Sequence, residues 1–77
     1  IFKKATLLYD ILHYKNAELL INKNLESIEN PSNWIFLRAK CRLKLGRQEE
    51  ACEDWRLAKT MGNTTKDKDL DFYCFDK

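Results

Sequence analysis

Three cysteines, one histidine and two groups of carboxylates are the residues of this chain whose types could do chemistry. Cys41, Cys52 and Cys74 are unevenly spread, whereas zinc and redox motifs take their sulfurs from pairs about two residues apart. No metal is expected. His13 stands alone beside Tyr14, and a general base needs a second group to be tuned against; a lone histidine in a turn reads as a solvated polar residue. Asp67, Asp69 and Asp71 alternate with Lys68 and Leu70, without the glycine and closing glutamate of a calcium loop. Glu49 and Glu50 fall where a helix should begin, a place where negative charge is favoured by about 0.3–1 kcal/mol. Asn63-Thr64-Thr65 has the form of an N-glycosylation acceptor, a triplet that arises often by chance. With no nucleophile and base pair, no phosphate loop and no metal constellation, the chain reads as non-enzymatic, without cofactor.

Whatever positions these residues must be small. Seventy-seven residues make one domain, and a domain of this size buries only about 60% of the surface of its unfolded chain. Hydrophobic residues at 44%, charged residues at 34%, two glycines and one proline describe a chain of helix formers. Its 14 basic and 12 acidic residues are interspersed, for a net charge of +2, so no arm for nucleic acid is expected. No window approaches the ~18 apolar residues of a membrane span, and the opening IFKKATLLYDIL lacks the order of a signal peptide. No membrane insertion by this segment is expected. The start at Ile1 rather than at a methionine leads us to expect a piece of a longer protein.

Sliding the chain against itself by ~34 residues sets Ile1 on Ile35, Phe2 on Phe36, Ala5 on Ala39, Ala17 on Ala51 and Ile21 on Trp55. Small residues recur where helices must approach closely, bulky ones where a core needs filling. Ile1, Ala5, Leu8 and Leu12 have helical spacing, as do Ala17, Leu20, Ile21, Leu25 and Ile28 after a polar HYKN break. Asn30-Pro31-Ser32 is a stop and restart signal. A third helix is expected over 33–45, ended by Gly46, and a fourth over 48–61, ended by Gly62 and Asn63. The apolar cluster after the charged tail, with Leu70, Tyr73 and Cys74 on one face, predicts a capping helix over 66–75, or else the first helix of a further hairpin. The expected fold is all-α: tandem antiparallel helical hairpins with a short C-terminal cap.

These residues resemble the tetratricopeptide repeat (TPR) family, an α-solenoid of helical hairpins. Unit 32–65 carries the family's small residues as Ala39, Ala51 and Ala58, its turn glycine as Gly46 and its bulky aromatic as Trp55. In unit 1–31, Ala5, Tyr14, Ala17 and Ile21 fit, while Leu12 stands at the turn glycine and Asn24 at the late alanine; 66–77 is the tail. Arg42 at a usual aromatic and Asn63 at the usual closing proline are further departures. The resemblance implies that Ala39 faces Ala51, and that Trp55 fills the space between one hairpin and the next. The phrase ACEDWRLAKTMGN is also similar to the terminal repeat of many bacterial, often exported, TPR proteins. This implies a disulfide between Cys52 and Cys74, which a loop of such length makes worth about 3 kcal/mol, and a cell-envelope or secreted location. Pairing of Cys41 with Cys52, or three free thiols in a cytoplasmic protein, stand as alternatives.

For function, the resemblance implies a concave wall made by the first helix of each hairpin. On this chain the wall would hold Phe2, Thr6, Tyr9, Asp10, Asn33, Phe36, Leu37, Lys40, Leu43 and Lys44. Lys40 and Lys44, four apart on one helical face, could hold a carboxylate together with Asn33. The expected function is that of a protein–protein interaction module taking a protein or peptide partner through Tyr9, Asn33, Phe36, Lys40, Leu43 and Lys44. The alternative is a structural cap or spacer that packs on further repeats of its own chain or places another domain.

Overall fold

The computed structural model describes residues 2–74, and among them the backbone is helix and connecting turn with no strand. Helices α1 (Phe2–Asp10), α2 (Tyr14–Asn24), α3 (Ser32–Lys44), α4 (Gln48–Thr60) and α5 (Lys68–Tyr73) follow in order, with a 3-10 turn at Leu25–Ser27 behind α2. Ile1, Phe75 and the side chain of Phe2, all used in the sequence reading, lie outside the described residues.

Most boundaries fall within a residue or two of expectation, and the differences have local causes. The HYKN stretch is not a break, because Tyr14, Lys15 and Asn16 form the first turn of α2 and only Ile11–His13 connect the helices. Polarity there marks the outer side of a helix. Helix α2 stops at Asn24, short of Ile28. Asn24 Nδ2 donates to the Leu20 carbonyl at 2.8 Å and Ser27 Oγ to the Asn24 carbonyl at 3.0 Å, local bonds that compete with the helical ladder. The cap begins at Lys68 rather than Lys66 because Asp67 is its N-cap, with Oδ1 accepting from the Asp69 and Leu70 amides at 3.1 Å each.

The two connections between paired helices repeat each other bond for bond. In the first, the amides of Ile11, Leu12 and His13 donate to the carbonyls of Leu7, Tyr9 and Leu8 at 3.0, 3.0 and 2.8 Å; in the second, those of Leu45, Gly46 and Arg47 donate to Cys41, Leu43 and Arg42 at 3.0, 3.1 and 2.9 Å. Both close on a left-handed residue, as helix C-termini of this type require. Gly46 has φ +82° and Leu12 has φ +70°. A left-handed backbone costs an L-residue about 1–2 kcal/mol, and the Leu12 side chain is 68% exposed, so burial returns little. Leu12→Gly should therefore stabilise the chain by about 0.5–1 kcal/mol after the unfolded-state entropy of glycine is subtracted. Thermal melting should show a midpoint raised by a few degrees, and a lowered one would refute the strain argument.

Cross-helix bonds fix the directions. Glu18 pairs with Arg42 and Asn22 with Arg38 between α2 and α3, while Arg38 pairs with Asp54 and Asn33 with Asn63 between α3 and the α4 end of the chain. In each case rising numbers on one helix meet falling numbers on the other, so neighbours run antiparallel. The core has two clusters. Ala5, Ala17, Ile21, Leu37 and Cys41 join the α1–α2 hairpin to α3. Ile35, Phe36, Ala39, Ala51, Cys52, Trp55, Ala58, Leu70 and Cys74 join α3, α4 and α5, and half-buried Leu25 touches both clusters. Ala5, Ala17, Ala39, Ala51 and Ala58 are fully buried, where small side chains allow the closest helix approach. Trp55 shares its cluster with Leu70 and Cys74 of the cap, and Leu25 of the first hairpin packs against that cluster, while Leu37 and Cys41 lie in the cluster of the first hairpin. In α5, Leu70 and Cys74 are buried but Tyr73 is half-exposed, so the three do not share the core face.

Candidate functional site

Most of the residues expected on one wall divide between two hollows, while Asp10 lies outside both and is exposed on α1. The first, of about 240 Å³, lies between α1 and α3 and is closed at one end by the chain leaving α4; Thr6, Asn33, Phe36, Leu37, Lys40, Asn63 and Thr65 line it. Phe36 and Leu37 form its floor and are 6% and 3% exposed. They are core residues, not free contacts, because α3 is packed against α1, α2, α4 and α5 and retains only a narrow open strip. Lys40 lies along that strip with Nζ 4.7 Å from the centroid of the Tyr9 ring and 6.0 Å from that of Phe36, a cation held over two aromatic faces. Burial, with the charge of Asp67 next, raises the Tyr9 phenol to about 12, so the ring stays neutral beneath the ammonium.

Leu43 and Lys44 belong elsewhere. They line a second hollow of about 510 Å³ with Gly46, Gln48, Asp69 and Tyr73, where Lys44 Nζ reaches Asp69 Oδ2 at 3.5 Å. Lys40 and Lys44 thus do not converge on one carboxylate, since α5 has drawn the second lysine to itself. Asn33 is engaged as well, its Oδ1 accepting from Asn63 Nδ2 at 2.9 Å. Asn63 in turn is 7% exposed and its Oδ1 accepts from the Thr65 amide at 2.9 Å. An asparagine in this position ties the α4–α5 connection to the start of α3, and it is not presented for glycosylation.

A buried ion network went unrecognised in the sequence. Asp54 on α4 accepts from Arg38 Nε (to Oδ2) and Nη2 (to Oδ1), and from Arg42 Nη1 (to Oδ2), all at 2.9 Å. Glu18 on α2 accepts from Arg42 Nε at 2.8 Å, Arg47 Nη1 at 2.9 Å and Lys15 Nζ at 3.3 Å. Arg38 Nη1 donates to Asn22 Oδ1 at 2.9 Å, and Arg47 makes a two-pronged pair with Glu50 at 2.9 and 3.1 Å. Arg42 is thereby shared between two carboxylates on different helices, in the position where the resemblance calls for an aromatic. That departure was the available signal, because a charge at an apolar position demands a partner.

Burial alone would raise the Glu18 carboxyl, but hydrogen bonds from Arg42, Arg47 and Lys15 outweigh it, and its pKa falls from 4.5 to about 2. A carboxylate depressed in the folded state contributes stability that is present above its unfolded pKa and is lost as pH falls toward the folded one. The window runs here from about 4.5 down to about 2, with the contribution fully present above it. Urea midpoints compared at pH 7 and pH 3 should fall accordingly. Glu18→Gln should flatten this part of the profile, and an unchanged slope in that variant would assign the acid sensitivity to other carboxylates.

Cys52 and Cys74, 22 positions apart in sequence, are joined as a disulfide between α4 and the end of α5. Cys41 is free and fully buried in the other cluster, so it does not pair with Cys52. Trp55 Nε1 is buried without a hydrogen-bond partner among the described residues, while Lys59 Nζ stacks 4.7 Å above the ring. His13 is exposed at the first turn. Among the described residues no cluster of three or more His, Cys, Asp or Glu could hold a metal ion, and no helix is long and apolar enough to cross a membrane. Searches among family models, curated proteins and solved structures return no match to the chain.

Proposed function

We propose that this chain is a TPR-like interaction module of two hairpins (1–31 and 32–65) with a capping tail (66–77), non-enzymatic, that takes an extended peptide or partner segment in the hollow between α1 and α3. The observation that carries this reading is Lys40, a half-buried cation set over Tyr9 and Phe36 at the rim of an apolar floor and beside the amides of Asn33 and Asn63 and the hydroxyl of Thr65. Such a strip favours a carboxylate with an apolar group next to it. The backbone turns repeated at Leu12 and Gly46 support a two-unit solenoid. A disulfide persists in oxidising compartments, which supports a cell-envelope or secreted location.

The test is an NMR titration with an acidic pentapeptide bearing a free α-carboxylate, alongside its amidated twin. Shifts are expected at the amides of Asn33, Lys40 and Thr65, weaker for the amide and lost in Lys40→Glu but kept in Lys23→Glu. Equal response of both variants would sink the proposal. The reading as a structural cap or spacer is favoured by one feature, the closure of the α3–α4 end by Leu70, Cys74 and the disulfide; a silent titration supports it.

A further inference from the structure

Away from the hollows and the ion network, the outer side of α1 carries an uncovered apolar centre between charges of opposite sign. Leu7 is 57% and Ile11 51% exposed, and Lys3, Lys4 and Asp10 are exposed too. None of these three charges makes an ion pair among the described residues. The amide of Ile11 still donates to the Leu7 carbonyl at 3.0 Å, which carries the helical progression through Ile11. At ~100° per residue the five side chains share one arc centred on Leu7, opposite Ala5, which is in the core, and Tyr9, which packs against it.

Order along the arc decides what fits it. Two lysines stand at its start, a leucine at its middle and an aspartate at its end. A second α1 laid parallel would set lysines on lysines. Laid antiparallel about Leu7, it sets Leu7 on Leu7, Lys3 toward Asp10 of the other copy and Ile11 beside the stem of Lys4, and it opposes the two helix dipoles. The face is complementary to itself under a two-fold axis, the commonest symmetry of soluble oligomers.

We propose that a second copy of this chain docks here, α1 against α1 antiparallel, with Leu7 and Ile11 as the apolar centre and Lys3 paired with Asp10 across the axis. A pair of nine-residue helices buries less than the ~1,200 Å² of a stable interface, so the dimer is weak and depends on concentration.

Sedimentation of the chain from about 10 µM to about 1 mM tests this. The weight-average mass should rise toward twice the monomer's, and Leu7→Glu should hold it at the monomer throughout. Lys3→Asp or Asp10→Lys alone should weaken association about tenfold, and the two together should restore it to within about threefold, since the swapped pair is again complementary. Each reversal puts the charge at the helix end that favours it, so circular dichroism should show helicity kept. A monomer across the whole range, association indifferent to Leu7→Glu, or a double reversal that fails to restore it would each overturn the proposal.

Discussion

Asp54→Ala should cost about 3–5 kcal/mol, the penalty for removing one partner from a buried ion pair. Asp54 is 4% exposed and its carboxylate is the only group that Arg38 Nε and Nη2 and Arg42 Nη1 meet in the described structure. Without it, two guanidiniums with side chains only 14% and 16% exposed lie side by side, and Glu18 can answer one of them. Against a total stability of roughly 4–12 kcal/mol for a chain of this length, the loss is a large fraction of the whole, and at the low end of that range it would unfold much of the population at 25 °C. Urea unfolding followed by circular dichroism reads it directly. Asp54→Asn, which keeps the shape and one acceptor, should fall between. Arg38→Met with Asp54→Leu should be milder than Asp54→Ala, because an apolar pair of similar volume can replace a buried ion pair at little cost. A loss below about 1 kcal/mol for Asp54→Ala would mean that the network behaves as an exposed salt bridge does.

Removal of the Cys52–Cys74 bond should cost about 3 kcal/mol, through freedom returned to a 22-residue loop in the unfolded chain. In the folded chain α5 is a six-residue helix, too short to persist without what it packs on. Its release would uncover Trp55, which shares a cluster with Leu70 and Cys74. Two readouts are therefore expected from Cys52→Ser/Cys74→Ser or from reduction with a dithiol. The urea midpoint falls while the slope rises, because the unfolded chain is no longer cross-linked, and tryptophan emission moves to longer wavelength before global unfolding. If the variant melts with the parent's midpoint, α5 is held by Leu70 alone and the bond adds nothing.

How far the chain could be read from its sequence depended on the range of the interactions. Helix ends were legible wherever a backbone device marks them: Pro31 before α3, Gly46 after it, Gly62 after α4. The small residues of the helix contacts were legible by their recurrence. The ion network was not, since it joins residues 16 and 24 apart in sequence and a single chain offers no rule for which charge meets which. Arg42 alone gave notice of it. The expected wall is broader than the one that forms, because Phe36 and Leu37 are buried and Leu43 and Lys44 line a different hollow from Lys40. A central helix with four neighbours keeps few free positions, and α5 reaches over to claim Lys44 through Asp69. Leu12 was recognised as standing where a glycine belongs, and the backbone keeps the glycine's conformation regardless.

Cys41 gives the molecule a chemical clock. It is fully buried between the first hairpin and α3, and burial followed by the nearby charge of Glu18 pushes its thiol from 9.0 up to about 11, so neither access nor ionisation favours attack by an alkylating reagent at neutral pH. With Cys52 and Cys74 bonded it is the single free thiol. Alkylation of Cys41 therefore requires the α1–α2 hairpin to part from α3, and where closing outpaces alkylation the labelling rate measures the opening free energy of that seam, apart from any motion of α5 on the far side.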